Sequence, residues 1–243
     1  MHDRWRGWSE LPASDAASAS SAWLELSHPL RADLYRIPFF PAPRFARIMS
    51  QPADPLNLTE IQMVCHFGTH VDAPNHFIAD APAFDAIPLE RLHGPGVVWR
   101  LEVEPYDVIE PASLKRLRPE ARPGDIVLLD TGWAEHFGSS RYEHHPALSV
   151  HAAQWLVERK IKLIGLDLPT PDLAVHRRPP HFDWPVHHVL LSEGVLIAEN
   201  LTNLRPLAGK RIEAMFLALN IAGADGGPAR VVARTIADGA MKA

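Results

Sequence analysis

Short hydrophobic runs separated by turn residues are the main pattern in this chain, and they predict a series of β-strands. Residues 124–130 and 161–167 are almost continuously apolar and bounded by turn or charged residues, which is typical of strands buried on both faces. Apolar and polar residues alternate over residues 23–27, which predicts a first strand. Further segments of strand-favouring composition are residues 60–65, 97–103, 195–199, 215–220 and 231–236.

Three segments between these strands favour helices. Ser149 is a suitable N-cap for a helix that runs to about residue 160 and has an apolar face of Ala153, Leu156 and Val157. Residues 111–117 predict a short helix, and residues 185–193 predict another that ends before a glycine. Strands interleaved with helices predict an α/β fold, a single domain over residues 22–243 with a mixed β-sheet or barrel core flanked by helices.

Several irregular segments are expected to surround a ligand site. Residues 36–45 are rich in proline and carry three phenylalanines, which we expect to line a pocket. Residues 172–184 predict a long loop near the site, and residues 131–133 predict a loop that faces the pocket. Residues 1–21 predict an irregular N-terminal arm that packs on a neighbouring subunit or over the mouth of the site.

Composition and charge narrow the possible functions. A chain of 243 residues that is 47% hydrophobic is long enough for one domain with a substantial core. The net charge is −5 without a basic block, so neither nucleic acid nor an anionic membrane is expected as a partner. The single cysteine, Cys65, rules out an internal disulfide and is expected to be a small buried residue rather than a nucleophile. We see no signal peptide and no membrane-length apolar run, so a cytoplasmic location is expected.

Histidines mark the candidate chemistry. The chain has 14 of them, and they are unevenly spread. Three, His66, His70 and His76, lie together with Asp72 within eleven residues. Imidazole nitrogen and carboxylate oxygen are the ligands that zinc and similar divalent ions prefer. The cluster therefore predicts a metal-binding loop.

A straight chain does not bring these side chains together. At about 3.3 Å per residue, His70 and Asp72 lie about 6.6 Å apart at Cα and can share an ion, whereas His66 lies about 13 Å from His70. The chain must therefore bend between the two histidines, and Gly68 is the residue there that bends freely. A further turn is expected at Pro74.

A carboxylate far along the chain fits the same site. Glu199 ends a predicted strand whose preceding residues 195–198 are apolar, so its side chain is expected to be partly buried. A buried carboxylate needs a partner, and a metal ion is the strongest one available. His187 precedes Glu199 by twelve residues, across one predicted helix, and can return to the same place.

A family signature runs through the same loop. Residues 66–77 match the pattern H-x-G-T-H-x-D-x-P-x-H-F at every fixed position. The chain thereby resembles the cyclase-type metal-dependent hydrolases, a superfamily that includes the bacterial kynurenine formamidases and the isatin hydrolases. Similar segments at residues 130–133, 165–167, 187–201 and 223–230 extend the resemblance over residues 23–236. It implies a swivelling β/β/α-like fold.

The resemblance also implies a role for each residue of the site. In the formamidases the first two histidines and the aspartate of the signature bind one metal, and these correspond to His66, His70 and Asp72. The aspartate is shared with a second metal, whose other ligands match His187 and Glu199. The last histidine of the signature, His76, is implied as the proton carrier, and Glu199 is counted with it among the catalytic residues.

The implied cofactor is zinc, as one or two ions, with manganese as the alternative. Isatin hydrolases use one manganese and carry a glutamine where this chain has Glu199, which favours the two-metal, zinc-type arrangement. The chain departs from its relatives at residues 39–44, which lack a Pro-Gly pair found in many of them, and at the extra loop 177–180. These segments set the choice of substrate, so the resemblance transfers the chemistry better than the substrate.

Three hypotheses for the function follow. The leading one is a metal-dependent hydrolase that uses activated water to cleave the C–N amide bond of an aryl formamide such as N-formylkynurenine. The alternative is ring opening of a cyclic amide (isatin, a lactam or an imide) on the same scaffold. The different class, a non-catalytic protein that binds a metal or a small molecule, does not need the proton-active His76. The expected partners are a small-molecule amide substrate and further copies of the chain in a homodimer or homotetramer.

Overall fold

The structure is a computed structural model that describes residues 22–236. The predicted N-terminal arm over residues 1–21 lies outside the described residues, as does the end of the predicted domain beyond residue 236. No helix among the described residues is long and apolar enough to cross a membrane.

Strands outnumber helices in the described part of the chain. The α-helices are α1 Pro111–Leu114, α2 Val150–Glu158 and α3 Pro185–Ser192. The strands are β1 Leu24–Glu25, β2 Arg44–Met49, β3 Leu58–Gln62, β4 His70–Asp72, β5 His93–Arg100, β6 Val108–Ile109, β7 Ile126–Asp130, β8 Ala147–Leu148, β9 Leu163–Leu166, β10 Leu196–Glu199, β11 Arg211–Ala218 and β12 Gly226–Thr235.

Seven of the strands close into a mixed barrel. Their order is β12-β11-β5-β7-β9-β10-β4, and β4 pairs back with β12 to complete the ring. Strands β5, β7, β9 and β10 run parallel, and the remaining pairings around the ring are antiparallel. The short strand β1 extends the sheet along the other part of β12. The predicted single α/β domain with a mixed barrel core is confirmed.

Closure of the ring depends on the three residues of β4. His70 lies opposite Glu199 of β10 on one side and opposite Pro228 of β12 on the other. Glycine is required where β12 approaches this strand. A Cβ atom on Gly226 would lie 2.8 Å from Cε1 of His66 and 3.0 Å from the carbonyl oxygen of Val71.

Alternating residues of the strands build two hydrophobic layers. Inside the barrel, side chains such as Val71, Leu128 and Ala198 pack against one another. On the outer face, Leu129 and Ile197 pack beneath α2 and α3. The central strands are therefore buried on both faces, as their continuous apolar runs predict.

The same alternation decides where the polar residues of β4 and β10 point. Val71 and Ala198 belong to the barrel interior, whereas Ile197 belongs to the outer layer beneath the helices. Residues two apart on a strand share a face, so Glu199 lies on the outer side with Ile197, and His70 and Asp72 lie on the side opposite Val71. The candidate site consequently lies between the barrel wall and α3.

Most predicted helices and strands are present with shifted ends. The predicted helix from Ser149 is confirmed as α2, and the Ser149 hydroxyl accepts a hydrogen bond of 3.0 Å from the backbone N–H of Ala152. The helix predicted over residues 185–193 is confirmed as α3. The predicted helix at residues 111–117 is shorter, because α1 ends at Leu114.

Two predictions near the site are wrong. Residues 60–65 do not form one strand that leads into the metal-binding loop, because β3 ends at Gln62 and forms an exposed hairpin with β2 outside the barrel. Residues 131–133 do not face the pocket. Trp133 packs in the hydrophobic layer under the helices, and its indole N–H donates to the carbonyl oxygen of Tyr142 at 3.1 Å.

Candidate metal centre

The loop before β4 bends at Gly68, as the spacing of the histidines predicts. Gly68 has a φ of +68°, a left-handed conformation that favours glycine. The hydroxyl of Thr69 donates to the carbonyl oxygen of Asn200 at 2.6 Å and accepts from the backbone N–H of His28 at 3.0 Å. The amide of Asn200 donates to the carbonyl oxygen of Gly68 at 3.0 Å. These bonds tie the bend to the end of β10.

The first group of candidate ligands comes from this loop and β4. His66 Nδ1 lies 2.8 Å from Asp72 Oδ1, and His70 Nε2 lies 3.3 Å from the same oxygen. The other ring nitrogen of His70 donates to the carbonyl oxygen of Gly68 at 2.9 Å, so Nε2 is the nitrogen presented to the site. His66, His70 and Asp72 each offer a ligand atom within 4.8 Å of the others.

The second group shares Asp72 and adds residues from α3 and β10. His187 Nε2 lies 3.5 Å from Asp72 Oδ2 and 3.4 Å from Glu199 Oε1. Glu199 Oε2 in turn lies 3.4 Å from His70 Nε2, so the two groups are continuous. Asp72, His187 and Glu199 are all buried, and their ligand atoms also lie within 4.8 Å of one another.

Asp172 orients His187. The Nδ1–H of His187 donates to Asp172 Oδ2 at 2.6 Å. The same carboxylate accepts from the backbone N–H groups of Val186 and His187 in the first turn of α3, at 3.0 and 3.1 Å. Asp172 thus fixes the ring so that Nε2 points at Asp72 and Glu199, an arrangement typical of metal-binding histidines.

One oxygen at the centre of the site needs a partner. Asp72 Oδ2 is buried, and no donor within residues 22–236 reaches it in hydrogen-bond geometry. A buried carboxylate oxygen without a partner is costly, and a cation is the partner that offsets this cost best. Three imidazoles and two carboxylates around it form a donor set that suits zinc or a similar divalent ion.

The carboxylates control the protonation of the histidines. Burial lowers the pKa of His70, but its contacts with Asp72 and Glu199 outweigh this and raise the pKa to about 10. Contacts with Asp172, Asp72 and Glu199 likewise raise the pKa of His187 well above its ordinary value in spite of burial. Metal ligands bind after losing such protons, so a divalent ion would replace the protons as the charge that neutralises the carboxylates.

His76 lies beside this cluster, beyond the turn that Pro74 begins. Its ring stacks on His66 with the centroids 3.8 Å apart and an interplanar angle of 21°. His76 Nδ1 lies 3.6 Å from Asp225 Oδ2, and His66 Nε2 lies 3.1 Å from the same oxygen. Burial lowers the pKa of His76 in spite of the attraction of Asp72, which favours the neutral ring.

Asp225 is the acidic residue of the site to which sequence reasoning assigned no role. It precedes β12 in a glycine-rich turn and forms a third potential ligand group with His66 and His76. In the sequence, the one feature that points to Asp225 is that it is a single carboxylate among glycines. Its approach to His66 depends on the pairing of β12 with β4, which no local pattern reveals.

A cavity of about 230 Å³ opens onto these residues. Phe39, Phe40, Phe77 and Trp184 give it aromatic walls, and His70, His187 and Glu199 lie among its lining residues. The prediction that residues 36–45 line a pocket holds for Phe39 and Phe40. Phe45 is different, since it belongs to β2 and packs near Phe67 with the ring centroids 6.4 Å apart.

Four other histidines, His144, His145, His176 and His188, belong to none of the ligand groups. His144 and His176 contact each other beside Tyr106, and His188 lies partly exposed on α3. His145 is buried, with Nδ1 donating to the carbonyl oxygen of Pro146 at 2.8 Å. Cys65 is only half-buried.

Known proteins match the chain in sequence and in fold. The cyclase family model, described as "Putative cyclase", matches residues 24–173. The kynurenine formamidase of Bordetella petrii is 35% identical over 187 residues, which cover 76% of this chain and 84% of that protein. Isatin hydrolase A from Labrenzia aggregata superposes with a TM-score of 0.81 and 25% identity, over 92% of this chain and 96% of that chain. A structure described as "Potential Metal-Dependent Hydrolase With Cyclase Activity" superposes with a TM-score of 0.74 and 25% identity, over 89% of this chain and 98% of that chain.

Replacing Asp172 by asparagine should weaken metal binding without removing a ligand. The amide cannot match the charged hydrogen bond to His187, so the ring is held less firmly, and affinity for zinc should fall about 10- to 100-fold. Titration of the purified protein with zinc against a competing chelator measures this. Asp183→Asn, at an exposed residue 3.6 Å from His188, is the matched control and should bind zinc normally. Equal affinity of the two variants would contradict the role of Asp172.

Proposed function

The chain belongs to the cyclase family of metal-dependent amide hydrolases, and we propose that it cleaves the C–N bond of an aryl formamide such as N-formylkynurenine. The observation that carries this proposal is the pair of ligand groups that share Asp72 beneath an aromatic cavity. The kynurenine formamidase relative supports the formamide as the substrate class.

We propose that the two groups hold two zinc ions. His66, His70 and Asp72 would hold one ion, and Asp72, His187 and Glu199 would hold the other. Imidazole and carboxylate ligands at this separation support zinc, and a single manganese ion is the alternative. Asp72 Oδ1 faces His66 and His70 whereas Oδ2 faces His187, which supports the sharing of Asp72 between the two ions.

Each side chain then has a chemical task. A bound divalent ion supplies a water of lowered pKa and polarises the carbonyl oxygen of the amide. Burial lowers the pKa of His76 and so favours the neutral ring, which can accept the proton of the attacking water. The same ring can then protonate the leaving amine. Asp225, near His76 Nδ1, favours the protonated ring during this transfer.

The cavity supports an aryl substrate. Phe39, Phe40, Phe77 and Trp184 present ring faces and edges that pack favourably against another aromatic ring. His76 lies within this wall, in contact with Phe77 at a centroid distance of 4.4 Å. An aryl ring packed there would bring a formamide substituent to the ligand groups.

A cyclic amide is the second candidate. The structural likeness to isatin hydrolase A supports it, and an isatin-type substrate also carries an aromatic ring that the cavity could hold. Glu199 favours the formamide, because it provides a second carboxylate for two ions where a glutamine would suit one. A non-catalytic binding protein is disfavoured by His76, a proton-active ring placed against a ligand group.

The substrate assignment can be tested directly. The zinc-loaded protein should hydrolyse N-formylkynurenine, with isatin and a bicyclic lactam turned over more slowly, and a chelator should abolish each activity until zinc is restored. Absorbance assays for the three substrates give kcat/KM. A higher kcat/KM for isatin than for N-formylkynurenine would favour the cyclic amide as the substrate. Absence of turnover of all three amides would overturn the proposal that the protein is an amide hydrolase.

The role of His76 predicts a separation of binding from catalysis. His76→Ala should keep its zinc, because the five proposed ligands remain, but kcat should fall by about 10²- to 10⁴-fold through the loss of proton transfer. Metal analysis and steady-state kinetics on the same preparation measure both. Loss of zinc together with activity would instead identify His76 as a ligand in the group with His66 and Asp225.

Glu199→Gln should lower the metal content from two ions to one. The amide is a poorer ligand than the carboxylate, whereas His66, His70 and Asp72 remain intact for the first ion. Elemental analysis after dialysis against zinc measures the number of zinc ions per protein chain. His70→Ala provides the reference, since it removes a nitrogen close to both carboxylates and should abolish stable binding. The same ratio in Glu199→Gln as in the unmodified protein would support a one-ion site.

A further inference from the structure

Arg178 has no role in the chemistry above, yet it lines the cavity. It belongs to the loop between β9 and α3 and is held there in two ways. Its Nε donates to the carbonyl oxygen of Leu173 at 2.8 Å. Its Cζ lies 5.2 Å from the ring centroids of both Phe182 and Trp184, within the range of cation–π attraction. The guanidinium is therefore fixed at the cavity wall.

The outer nitrogens of this guanidinium remain free. Within residues 22–236, Nε is the one guanidinium nitrogen of Arg178 that forms a hydrogen bond, and neither Nη1 nor Nη2 has a partner. Burial lowers the pKa of Arg178 while Asp172 and Glu199 oppose the change, and an arginine stays charged in either case. The other arginine of the cavity is used differently, since Arg36 donates to the carbonyl oxygens of Pro38 and Phe40 and so holds its own loop.

Tyr35 presents a second donor to the same cavity. Its ring is fixed edge-on against Tyr142, with the centroids 5.0 Å apart, and its hydroxyl has no hydrogen-bond partner within the described residues. Burial raises the pKa of Tyr35, so the hydroxyl keeps its proton and can donate it in a hydrogen bond. A cation and a hydroxyl donor thus line one cavity between aromatic walls.

We propose that Arg178, assisted by Tyr35, binds a carboxylate that the substrate carries away from the scissile amide. A planar guanidinium with two free nitrogens matches a carboxylate in a paired, charge-assisted geometry. The positive charge of Arg178 also orients the substrate, because it would hold the carboxylate at the cavity wall and leave the amide facing the ligand groups. The inference rests on the proposed function, because it specifies which aryl formamides the site selects.

Three formamides separate the contribution of the substrate's carboxylate to binding from that of its ammonium group and its aryl formamide part. N-formylkynurenine carries a carboxylate and an ammonium, its deaminated analogue keeps only the carboxylate, and ortho-formamidoacetophenone has neither. Arg178→Met should raise KM about 10- to 100-fold for the first two and leave the third within about twofold, because one charge-assisted interaction is lost. Arg178→Lys should restore part of the loss for the two acidic substrates, since the charge returns without the planar fork.

Arg177→Met is the matched control. Arg177 is the exposed neighbour whose Cζ lies 4.6 Å from the ring centroid of Tyr106, and it is absent from the cavity lining. This variant should leave all three KM values unchanged. An equal rise in KM for the neutral formamide in Arg178→Met would show a merely structural role and overturn the proposal. The proposal would also be overturned if Arg36→Met, and not Arg178→Met, raised KM only for the two substrates that carry a carboxylate.

A binding measurement keeps this inference distinct from the proposed reaction. Calorimetry should show that deaminated kynurenine, the matching amine product, binds the zinc-loaded Arg178→Met protein at least about tenfold more weakly than the unmodified protein. If no formamide is hydrolysed, the proposed function fails, but the binding measurement still tests whether Arg178 binds the carboxylate. Equal binding to the two proteins would overturn the role of Arg178 whatever the kinetics show.

Discussion

The buried carboxylate of Asp72 is the group on which the rest of the site depends. It contacts His66 and His70 through Oδ1 and approaches His187 through Oδ2, so both ligand groups meet at one side chain. A buried anion is tolerated only where surrounding charges and hydrogen bonds offset its desolvation, and this holds its pKa well below the ordinary value in spite of burial. The strand that carries Asp72 also closes the barrel, so the fold and the ligand set constrain each other.

Much of this arrangement could be predicted from the sequence because its signals are local. The even spacing of His70 and Asp72 is the period of a strand, and both side chains lie on one face of β4. The bend at Gly68 follows from the same distances, because a straight chain separates His66 from His70 too far. The buried runs that became β7 and β9 are recognisable by their apolar continuity.

The misassigned residues depend on contacts that no local pattern encodes. Trp133 follows a buried strand, and an aromatic residue there could pack toward the pocket or into the core. It packs into the core, where its indole N–H donates a hydrogen bond to the carbonyl oxygen of Tyr142. Asp225 reaches His66 only because β12 pairs with β4, more than 150 residues earlier in the chain. Arg178 gains its place from two ring contacts within an irregular loop, where proline and arginine alone indicate no direction.

The loop that carries Arg178 also connects the aromatic wall of the cavity to His187, a proposed metal ligand. Trp184 ends it in a left-handed conformation, with a φ of 39° that is strained for a bulky residue, and Pro185 then begins α3. Strain of this kind persists only where packing fixes it, and here the Trp184 ring packs near Phe77 beside the cavity. Because α3 carries His187 one turn later, one short stretch of backbone joins the cavity wall to a proposed metal ligand. The proposed selection of the substrate by Arg178 and the placement of His187 are therefore linked through the same segment of backbone.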